Sequence, residues 1–335
     1  MNKPCFLAID AGGTYLKGAL FLERAILIEN SFIKIPVNSM GNRREIKKSY
    51  QSVAKEESRY ASLMGLTIRG IGICIPGPFD YKEGICKMRH KYASIYGIPL
   101  RPWFEEILGG TTVNFLHDSE AFLKGAIYQS KSDYNPVCGV ILGTGLGFAI
   151  AKDNKVIRNP SGGPGISIFQ KQYKEGTAED YVSKRGILKR YRELEVKMAG
   201  KNAGADSGNA GADTGNAGTG GKNAGADTGN AGTGGSYSGT NKEEVLDIAI
   251  AAKNGDAAAI QVFNETGAHL AAILYDIIRD NEVEGLFLGG AISKSAELFL
   301  PSLKEGLCGT PLKFIQKAED IDNAPLYGTI SGEVF

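Results

Sequence analysis

The chain has 335 residues, of which 42% are hydrophobic and 22% charged, and its formal net charge is +1. This composition is globular, and the length suits two lobes of roughly 100–200 residues each. The near-neutral charge argues against a nucleic-acid partner, and no apolar run approaches the ~18 residues that a membrane span needs. The five scattered cysteines form no C-x-x-C pair, which favours a reduced, cytoplasmic protein.

The first predicted elements form a hairpin, because apolar runs at residues 5–10 and 16–22 flank Gly12 and Gly13. A charged, amphipathic stretch without Gly or Pro then predicts a helix over residues 43–64. The other predicted strands are residues 25–36, 70–75, 112–116, 137–142, 148–152, 155–158, 286–288 and 312–316. The other predicted helices are residues 100–108, 119–129, 178–198, 242–253, 257–279, 293–306 and 324–332.

A strand pair around a glycine turn occurs twice, about 130 residues apart. Two βββαβα-like lobes of an α/β protein account for this repetition. We expect an N-terminal lobe over residues 1–118, a C-terminal lobe over residues 119–319, and a last helix at about 320–335 that packs back on the first lobe. The ligand site is then expected in the cleft between the lobes, since pockets favour domain interfaces.

Residues 199–240 have an unusual composition, almost entirely Gly, Ala, Asn, Asp, Thr and Lys. No large apolar side chain occurs there before Tyr237, so nothing offsets the entropy lost on ordering. A glycine-rich calcium-binding β-roll needs a recurring large apolar position, which this stretch lacks. The sequence therefore predicts a disordered insert in a surface loop.

The first glycine turn carries the motif Asp-Ala-Gly-Gly-Thr-Tyr-Leu-Lys at residues 10–17. Gly12 and Gly13 let the backbone approach an anion and direct N–H groups at it, and Thr14 adds a hydroxyl donor. Lys17 ends the motif and is predicted to bind ATP. Asp10, at the end of the strand, can hold a magnesium-bound water. An ordinary tight turn fits the same residues.

The second glycine turn reads Leu-Gly-Thr-Gly-Leu-Gly at residues 142–147 and leads into Phe148, which favours a strand. A dinucleotide-binding fingerprint would open a helix instead. Gly143, Thr144 and Gly145 are therefore predicted to bind phosphate. Two such hairpins facing each other across a cleft would hold the phosphates of one nucleotide.

Three further motifs have a structural and a functional interpretation. Asp118, at a strand-to-helix junction, is either a helix cap or a general base for a substrate hydroxyl. Gly289 and Gly290 either let adenine or ribose lie flat on the backbone or serve a strand-to-helix turn. Gly77, between two prolines, belongs to a rigid turn or to a loop that places backbone groups on substrate.

The motifs together resemble the ROK family (repressors, open reading frames and kinases) of glucokinase-like sugar kinases. They occur in family order along nearly the whole chain, apart from the insert at 199–240. The resemblance implies a two-lobed ribonuclease H-like fold of the actin/hexokinase type, ATP with Mg²⁺, sugar hydroxyls as acceptors, and a homodimer. It also implies that Asp118 is the base and that both glycine turns bind phosphate.

The sequence departs from the family at the sugar-binding motifs. The family's Asn-Asp-x-Asn becomes His-Asp-Ser-Glu at residues 117–120, so His117 is expected to replace an Asn as a hydrogen-bond donor to the sugar. The family's Ala-Gly-Glu-x-Gly-His corresponds to residues 162–169, which contain neither the sugar-binding Glu nor the zinc-ligating His. The cysteine cluster that should follow is also missing, so no structural zinc is expected.

Two other residues are candidate sugar ligands. Glu179 aligns with the acid that contacts the sugar in the family, although a first-turn acid favoured by the helix dipole explains it equally well. His90 lies in a polar run at residues 88–92. That run either compensates for the lost sugar contacts or forms a solvated loop.

The leading functional hypothesis is an ATP-dependent kinase that phosphorylates a hydroxyl of a hexose or hexose derivative. The alternative is a catalytically silent sugar- or nucleotide-binding protein with a regulatory role. Only nine residues precede Asp10, too few for a DNA-binding domain, so a repressor is not expected. The retained Asp118 and both glycine turns favour the kinase, whereas the altered sugar motifs favour the silent protein.

Overall fold

The computed structural model describes residues 2–131, 133–153, 155–205 and 244–331. Residues 206–240 of the predicted insert lie outside these ranges. The strands are β1 (Lys3–Ala11), β2 (Tyr15–Leu22), β3 (Ile26–Leu27), β4 (Ile33–Pro36), β5 (Leu66–Ile75), β6 (Phe79–Asp80), β7 (Ile85–Cys86), β8 (Thr112–His117), β9 (Val137–Leu142), β10 (Leu146–Lys152), β11 (Lys155–Val156), β12 (Gln172–Tyr173), β13 (Gly176–Thr177), β14 (Gly285–Gly289) and β15 (Phe314–Lys317). The helices are α1 (Arg43–Leu63), α2 (Arg101–Glu105), α3 (Asp118–Ser130), α4 (Ala178–Val182), α5 (Lys184–Ala205), α6 (Val245–Lys253), α7 (Ala257–Asp280), α8 (Leu300–Gly306) and α9 (Ala324–Ile330).

The two main sheets have the same topology. The first has the order β3-β2-β1-β5-β8, with β4 also paired to β2, and the second has the order β11-β10-β9-β14-β15. In each sheet an antiparallel hairpin is continued by two parallel strands. The predicted repetition of an α/β module is therefore confirmed, and each glycine turn lies at the tip of the corresponding hairpin.

The first sheet is buried on both faces, as expected of strands flanked by helices. Side chains alternate along a strand, so Leu7 and Ile9 face α1 and pack with its Tyr50. Ala8 points to the opposite face and packs with Leu326 of α9. The small Ala8 side chain leaves room for α9 to lie directly on the sheet.

Helices α3 and α9 touch through their backbones. A Cβ atom at Gly125 would lie 1.8 Å from the Ala324 oxygen, and one at Gly328 would lie 1.7 Å from the Ala121 oxygen. Glycine is thus required at both crossing points. This contact joins the C-terminal helix to α3, which leads from the first sheet to the second, while the domain bounds at 118 and 319 stay a prediction.

Three predicted elements differ in the structure. The helix predicted over 178–198 is broken at Ser183, whose extended backbone separates α4 from α5, because the Lys184 N–H bonds to the Gly143 oxygen across the fold. Helix α5 also continues to Ala205, into the stretch predicted as insert. The helix predicted over 293–306 begins as a 3₁₀ segment, Ala291–Leu298, and the strand predicted over 25–36 is split into β3 and β4. None of the described helices combines the length and the apolar composition that a membrane span requires.

Candidate active site

The candidate site is built at the edge where the parallel strands of the first sheet end. Asp10 is paired with Cys74 in the β1–β5 register, and Ile75 is paired with His117 in the β5–β8 register. Helix α3 begins with Asp118 immediately after β8. The topology therefore brings Asp10 and Asp118 to one edge, which is where open α/β sheets bind ligands.

The first turn has its carbonyl groups occupied and its tip N–H groups open. The oxygens of Gly12, Gly13 and Thr14 accept hydrogen bonds from the Tyr92 hydroxyl (2.5 Å), the Ser39 N–H (3.2 Å) and the Val37 N–H (2.8 Å). No acceptor among the described residues bonds to the N–H of Gly13 or Thr14. A turn with outward-held carbonyls and free N–H groups is suited to an anion.

The second turn is arranged in the same way. The Gly143 N–H donates to the Gly145 oxygen (3.1 Å), and the Gly143 oxygen accepts from the Lys184 N–H (2.8 Å). The Leu146 N–H donates to the Glu179 carboxylate, 2.9 Å away. The N–H groups of Thr144 and Gly145 have no partner within the part of the chain that the structure describes. Both predicted phosphate turns thus present two open N–H groups at the tip.

The Asp118 carboxylate is held at the start of α3 but remains accessible, with 38% of its side chain exposed. Its Oδ1 lies 2.7 Å from the Ser119 N–H nitrogen and 2.8 Å from His117 Nδ1. The helix cap position belongs to His117, so the helix-cap interpretation of Asp118 does not hold. The backbone turns into the helix at His117, and Asp118 is the first helical residue.

The proton on His117 can be placed from its neighbours. The Ser119 hydroxyl donates to the Phe148 oxygen (2.9 Å), so its own oxygen accepts from His117 Nδ1, 2.8 Å away. An ionised carboxylate at Asp118 also only accepts. Nδ1 therefore carries a proton. The Ser119 N–H also lies 3.1 Å from Nδ1, but a protonated Nδ1 cannot accept, so this N–H donates to the Asp118 carboxylate.

Asp118 is ionised at neutral pH. Burial raises the pKa of Asp118, but the adjacent His117 and the hydrogen bonds from His117 and Ser119 outweigh burial, and the net pKa lies below the ordinary value. A lowered pKa keeps this carboxylate in the form that accepts a proton. Because the neighbouring Ser119 bonds to Phe148 of β10, the start of α3 is tied to the second hairpin.

Asp10 forms the other acidic part of the site. Its Oδ1 accepts from the Cys74 thiol (3.4 Å) and its Oδ2 lies 3.5 Å from Lys17 Nζ. Burial raises the pKa of Asp10, the Lys17 charge and the thiol oppose this rise, and the nearby Asp118 adds to it. Lys17 also donates to the Asp322 oxygen (2.8 Å), so its ammonium lies beside Asp10 and not at the tip of the turn.

Asp10 provides one carboxylate next to the first turn, which suits a metal that nucleotide phosphates and water also coordinate. Among the described side chains, no group of three His, Cys, Asp or Glu residues could hold a metal ion. Asp10 would hold Mg²⁺ through water, and the ion would neutralise charge on the phosphates. That role fits a single acid at a strand end better than a dedicated all-protein site.

The predicted sugar ligands are only partly brought together. Gly77 lies beside His117, since a Cβ atom at Gly77 would be 3.6 Å from His117 Nε2. His90 is exposed and no contact to another described side chain holds it at the site. The next residue, Lys91, is partly buried, and its positive charge helps to lower the pKa of Asp118. Burial in turn lowers the pKa of Lys91. Sequence reasoning missed Lys91, although the polar run at 88–92 contained it.

The stretch that replaces the sugar motif lies against the first lobe. The Tyr81 N–H donates to the Ser161 oxygen (3.0 Å), and a Cβ atom at Gly162 would lie 3.1 Å from the Cβ of Tyr81. Tyr81 in turn contacts His117 edge to face. This wall of the site is therefore formed by backbone and an aromatic ring at positions next to His117.

Gly289 and Gly290 are required by packing. A Cβ atom at Gly289 would lie 2.2 Å from the Phe122 ring, and one at Gly290 would lie 2.3 Å from the Leu142 oxygen. Gly290 also has a φ of +82°, which favours glycine. These contacts support the strand-to-helix interpretation, and the adenine contact stays a prediction.

Comparisons with known proteins show a shared fold. The ROK glucokinase from Streptomyces griseus, solved with glucose and AMPPNP, is 20% identical with a TM-score of 0.69 over 97% of this chain and 98% of its own. The ROK hexokinase from Thermus thermophilus is 16% identical with a TM-score of 0.66 over 97% and 96%. A ROK transcriptional regulator, a homologue of the E. coli MLC protein, is 18% identical with a TM-score of 0.73 over 98% of this chain and 77% of its own.

No curated protein sequence matches the chain. The likeness in structure establishes the two-lobed hexokinase-type fold that the sequence predicts. The ROK family model matches residues 6–330. That span includes both glycine turns, Asp118 and the Gly289-Gly290 turn, and the chain therefore belongs to the ROK family.

Proposed function

We propose that the protein is an ATP-dependent sugar kinase that transfers the γ-phosphate of ATP to a hydroxyl of a hexose or hexose derivative. The main supporting observation is the pair of turns, each with bonded carbonyl groups and open N–H groups at its tip. The half-buried Asp118 carboxylate lies near Asp10 of the first hairpin and, through Ser119, near β10 of the second. A phosphate chain supplies the acceptors that these N–H groups lack.

In the proposed reaction Asp118 takes the proton of the acceptor hydroxyl as that oxygen bonds to the γ-phosphorus. The bond from the γ-phosphorus to the β,γ-bridging oxygen breaks, ADP leaves, and the proton stays on Asp118 until solvent removes it. The N–H groups of Gly13, Thr14, Thr144 and Gly145 orient the phosphates. Mg²⁺, held through water by Asp10, would supply charge neutralisation.

His117 has two roles in the proposed site. Its Nδ1 is bonded to Asp118 and Ser119 and fixes the orientation of the base. Its Nε2, which lies near Gly77, is the ring nitrogen left to hydrogen-bond a sugar hydroxyl. The family's Asn offers both a donor and an acceptor at this position.

A silent sugar- or nucleotide-binding protein is the second candidate. The observation that favours it is the stretch at residues 162–169, which lies against Tyr81 at Gly162 and carries no acid where the family's sugar-binding Glu would be expected. A neutral sugar would then be held by fewer charge-assisted hydrogen bonds. Such a protein would retain nucleotide affinity and lack turnover.

One pair of experiments separates the two candidates. Calorimetry with a non-hydrolysable ATP analogue and Mg²⁺ should show binding, and ADP release should then be measured over a panel of hexoses, amino sugars and N-acetylated sugars. If the protein is a kinase, we expect ADP release that depends on the presence of at least one of these sugars. Binding without turnover on any sugar supports the silent protein, and no binding at high micromolar protein contradicts both.

We also propose a cytoplasmic homodimer, on the basis of the family resemblance and of the scattered, unpaired cysteines. Light scattering coupled to size-exclusion chromatography measures the mass directly. A dimer predicts about twice the 35.7 kDa of one chain, and a single-chain mass contradicts the proposal.

A further inference from the structure

Glu179 lies against the second phosphate turn, although its sequence position predicts a sugar ligand. Its Oε2 accepts a hydrogen bond from the N–H of Leu146, 2.9 Å away. Leu146 is the residue that directly follows the turn and is itself buried. This contact satisfies the Leu146 N–H and fixes the backbone at the end of the turn.

The shape of the turn is matched to this carboxylate. A Cβ atom at Gly145 would lie 2.8 Å from Glu179 Oε2. Gly145 does not have the positive φ that would demand glycine. The missing side chain at position 145 is therefore explained by the carboxylate that occupies its space.

Glu179 is itself held rigidly. The Thr177 N–H and hydroxyl both donate to the Asp180 carboxylate (3.0 and 2.8 Å), which caps the first turn of α4. The Glu179 N–H donates to the Phe169 oxygen (3.2 Å). On the other side of the turn, the Lys184 N–H holds the Gly143 oxygen (2.8 Å). Both ends of the turn are thus tied to the short segment from β13 to the start of α5.

We propose that Glu179 is a positioning residue for the phosphate donor and not a sugar ligand. It holds the turn so that the open N–H groups of Thr144 and Gly145 point at the phosphate chain. The inference rests on the proposed nucleotide binding. Because the carboxylate charge repels phosphate while its oxygen holds the backbone, the acceptor atom matters for the turn and the charge does not.

The test compares Glu179→Ala, which removes the acceptor, with Glu179→Gln, which keeps an acceptor oxygen without charge. Glu179→Ala should raise the Kd of the ATP analogue, measured without sugar, and the KM for ATP by about tenfold or more. The KM for the sugar should stay within about twofold. Glu179→Gln should restore most of the nucleotide affinity, and Glu175→Gln, an exposed acid in the same segment, is the matched charge control.

Gly145→Ala provides an independent test of the contact, because the added Cβ atom would displace the Glu179 carboxylate. It should weaken nucleotide binding, and adding Glu179→Ala to it should have little further effect, since the contact is already lost. If both Glu179 variants instead raise the sugar KM and leave the analogue Kd unchanged, Glu179 is a sugar ligand and the inference fails. Absence of analogue binding by the parent protein would refute the proposed nucleotide function itself.

Discussion

The hydroxyl of Tyr92 donates a 2.5 Å hydrogen bond to the main-chain oxygen of Gly12, 80 residues away in sequence. Tyr92 is fully buried, and its N–H donates to the Ser39 oxygen (2.7 Å). This contact gives the Gly12 carbonyl a hydrogen-bond partner and ties the first turn to the segment around Tyr92. It also fixes the neighbouring Lys91 near Asp118.

Tyr92→Phe should loosen the first turn without changing the core, since only the hydroxyl is lost. The Gly12 oxygen loses its partner, which costs about 1–3 kcal/mol. We expect a lower melting temperature and an ATP-analogue Kd raised several-fold, measured by differential scanning fluorimetry and calorimetry. Tyr60→Phe, which removes an exposed hydroxyl bonded to the Glu29 oxygen, is the control. Equal affinities in Tyr92→Phe and the parent would show that the hydroxyl does not shape the turn.

Arg158 and Glu120 form an ion pair at a buried position of α3. Glu120 is almost completely buried on α3 and pairs with Arg158 through two hydrogen bonds, one of them 2.9 Å long. Arg158→Gln leaves a buried carboxylate without its cation and should reduce the free energy of unfolding by about 3 kcal/mol. Chemical denaturation measures this loss.

The double variant Glu120→Gln with Arg158→Gln should recover much of that stability, because no unpaired charge remains buried. If the losses in the free energy of unfolding of Glu120→Gln and Arg158→Gln simply add in the double variant, the interaction between the two side chains does not stabilise the protein.

The buried Glu57 should make the free energy of unfolding depend on pH. Both carboxylate oxygens are buried without a partner in the described structure, and burial, with a smaller effect of Glu56, raises the pKa of Glu57 to about 8. The folded state therefore binds the proton more tightly than the unfolded state, whose pKa is near 4.5. The stability that this proton confers is complete below pH 4.5 and is lost as pH rises toward 8.

Glu57→Gln removes this titration and should stabilise the protein by about 2–4 kcal/mol at pH 7, with a smaller gain at pH 5. Denaturation curves of both proteins at pH 5, 6, 7 and 8 measure the difference. A gain that does not change with pH would mean that Glu57 has an ordinary pKa in the folded protein.

Much of the fold was predictable because its signals are local. The alternation of apolar residues around Gly12 and Gly13 and the same pattern near residue 143 gave the repeated module. The break at Ser183 was not predictable, because neither Gly nor Pro marks it. It accompanies the hydrogen bond from the Lys184 N–H to the distant Gly143 oxygen, and such tertiary contacts leave no local signal in the sequence.

The site shows the same limit. Asp118 and both turns were singled out from motifs, and the structure ties the start of α3 to the second hairpin through Ser119. The polar run at residues 88–92 gave a candidate, His90, but Tyr92 adopts a left-handed backbone (φ 55°), and the side chain that acts on Asp118 is Lys91. Glu179 was identified as a residue of interest, whereas its partner, the Leu146 N–H, could only be seen in three dimensions.

Turnover by Asp118→Asn, compared with the parent protein, tests the central claim that Asp118 is the base of a sugar kinase. Asn keeps the shape and can still accept a hydrogen bond from the Ser119 N–H, so stability and ATP-analogue affinity should hardly change. Loss of the proton acceptor should lower ADP release on the best sugar by about 10²–10⁴-fold. Activity within a few-fold of the parent would contradict the assignment and remove Asp118 from the mechanism.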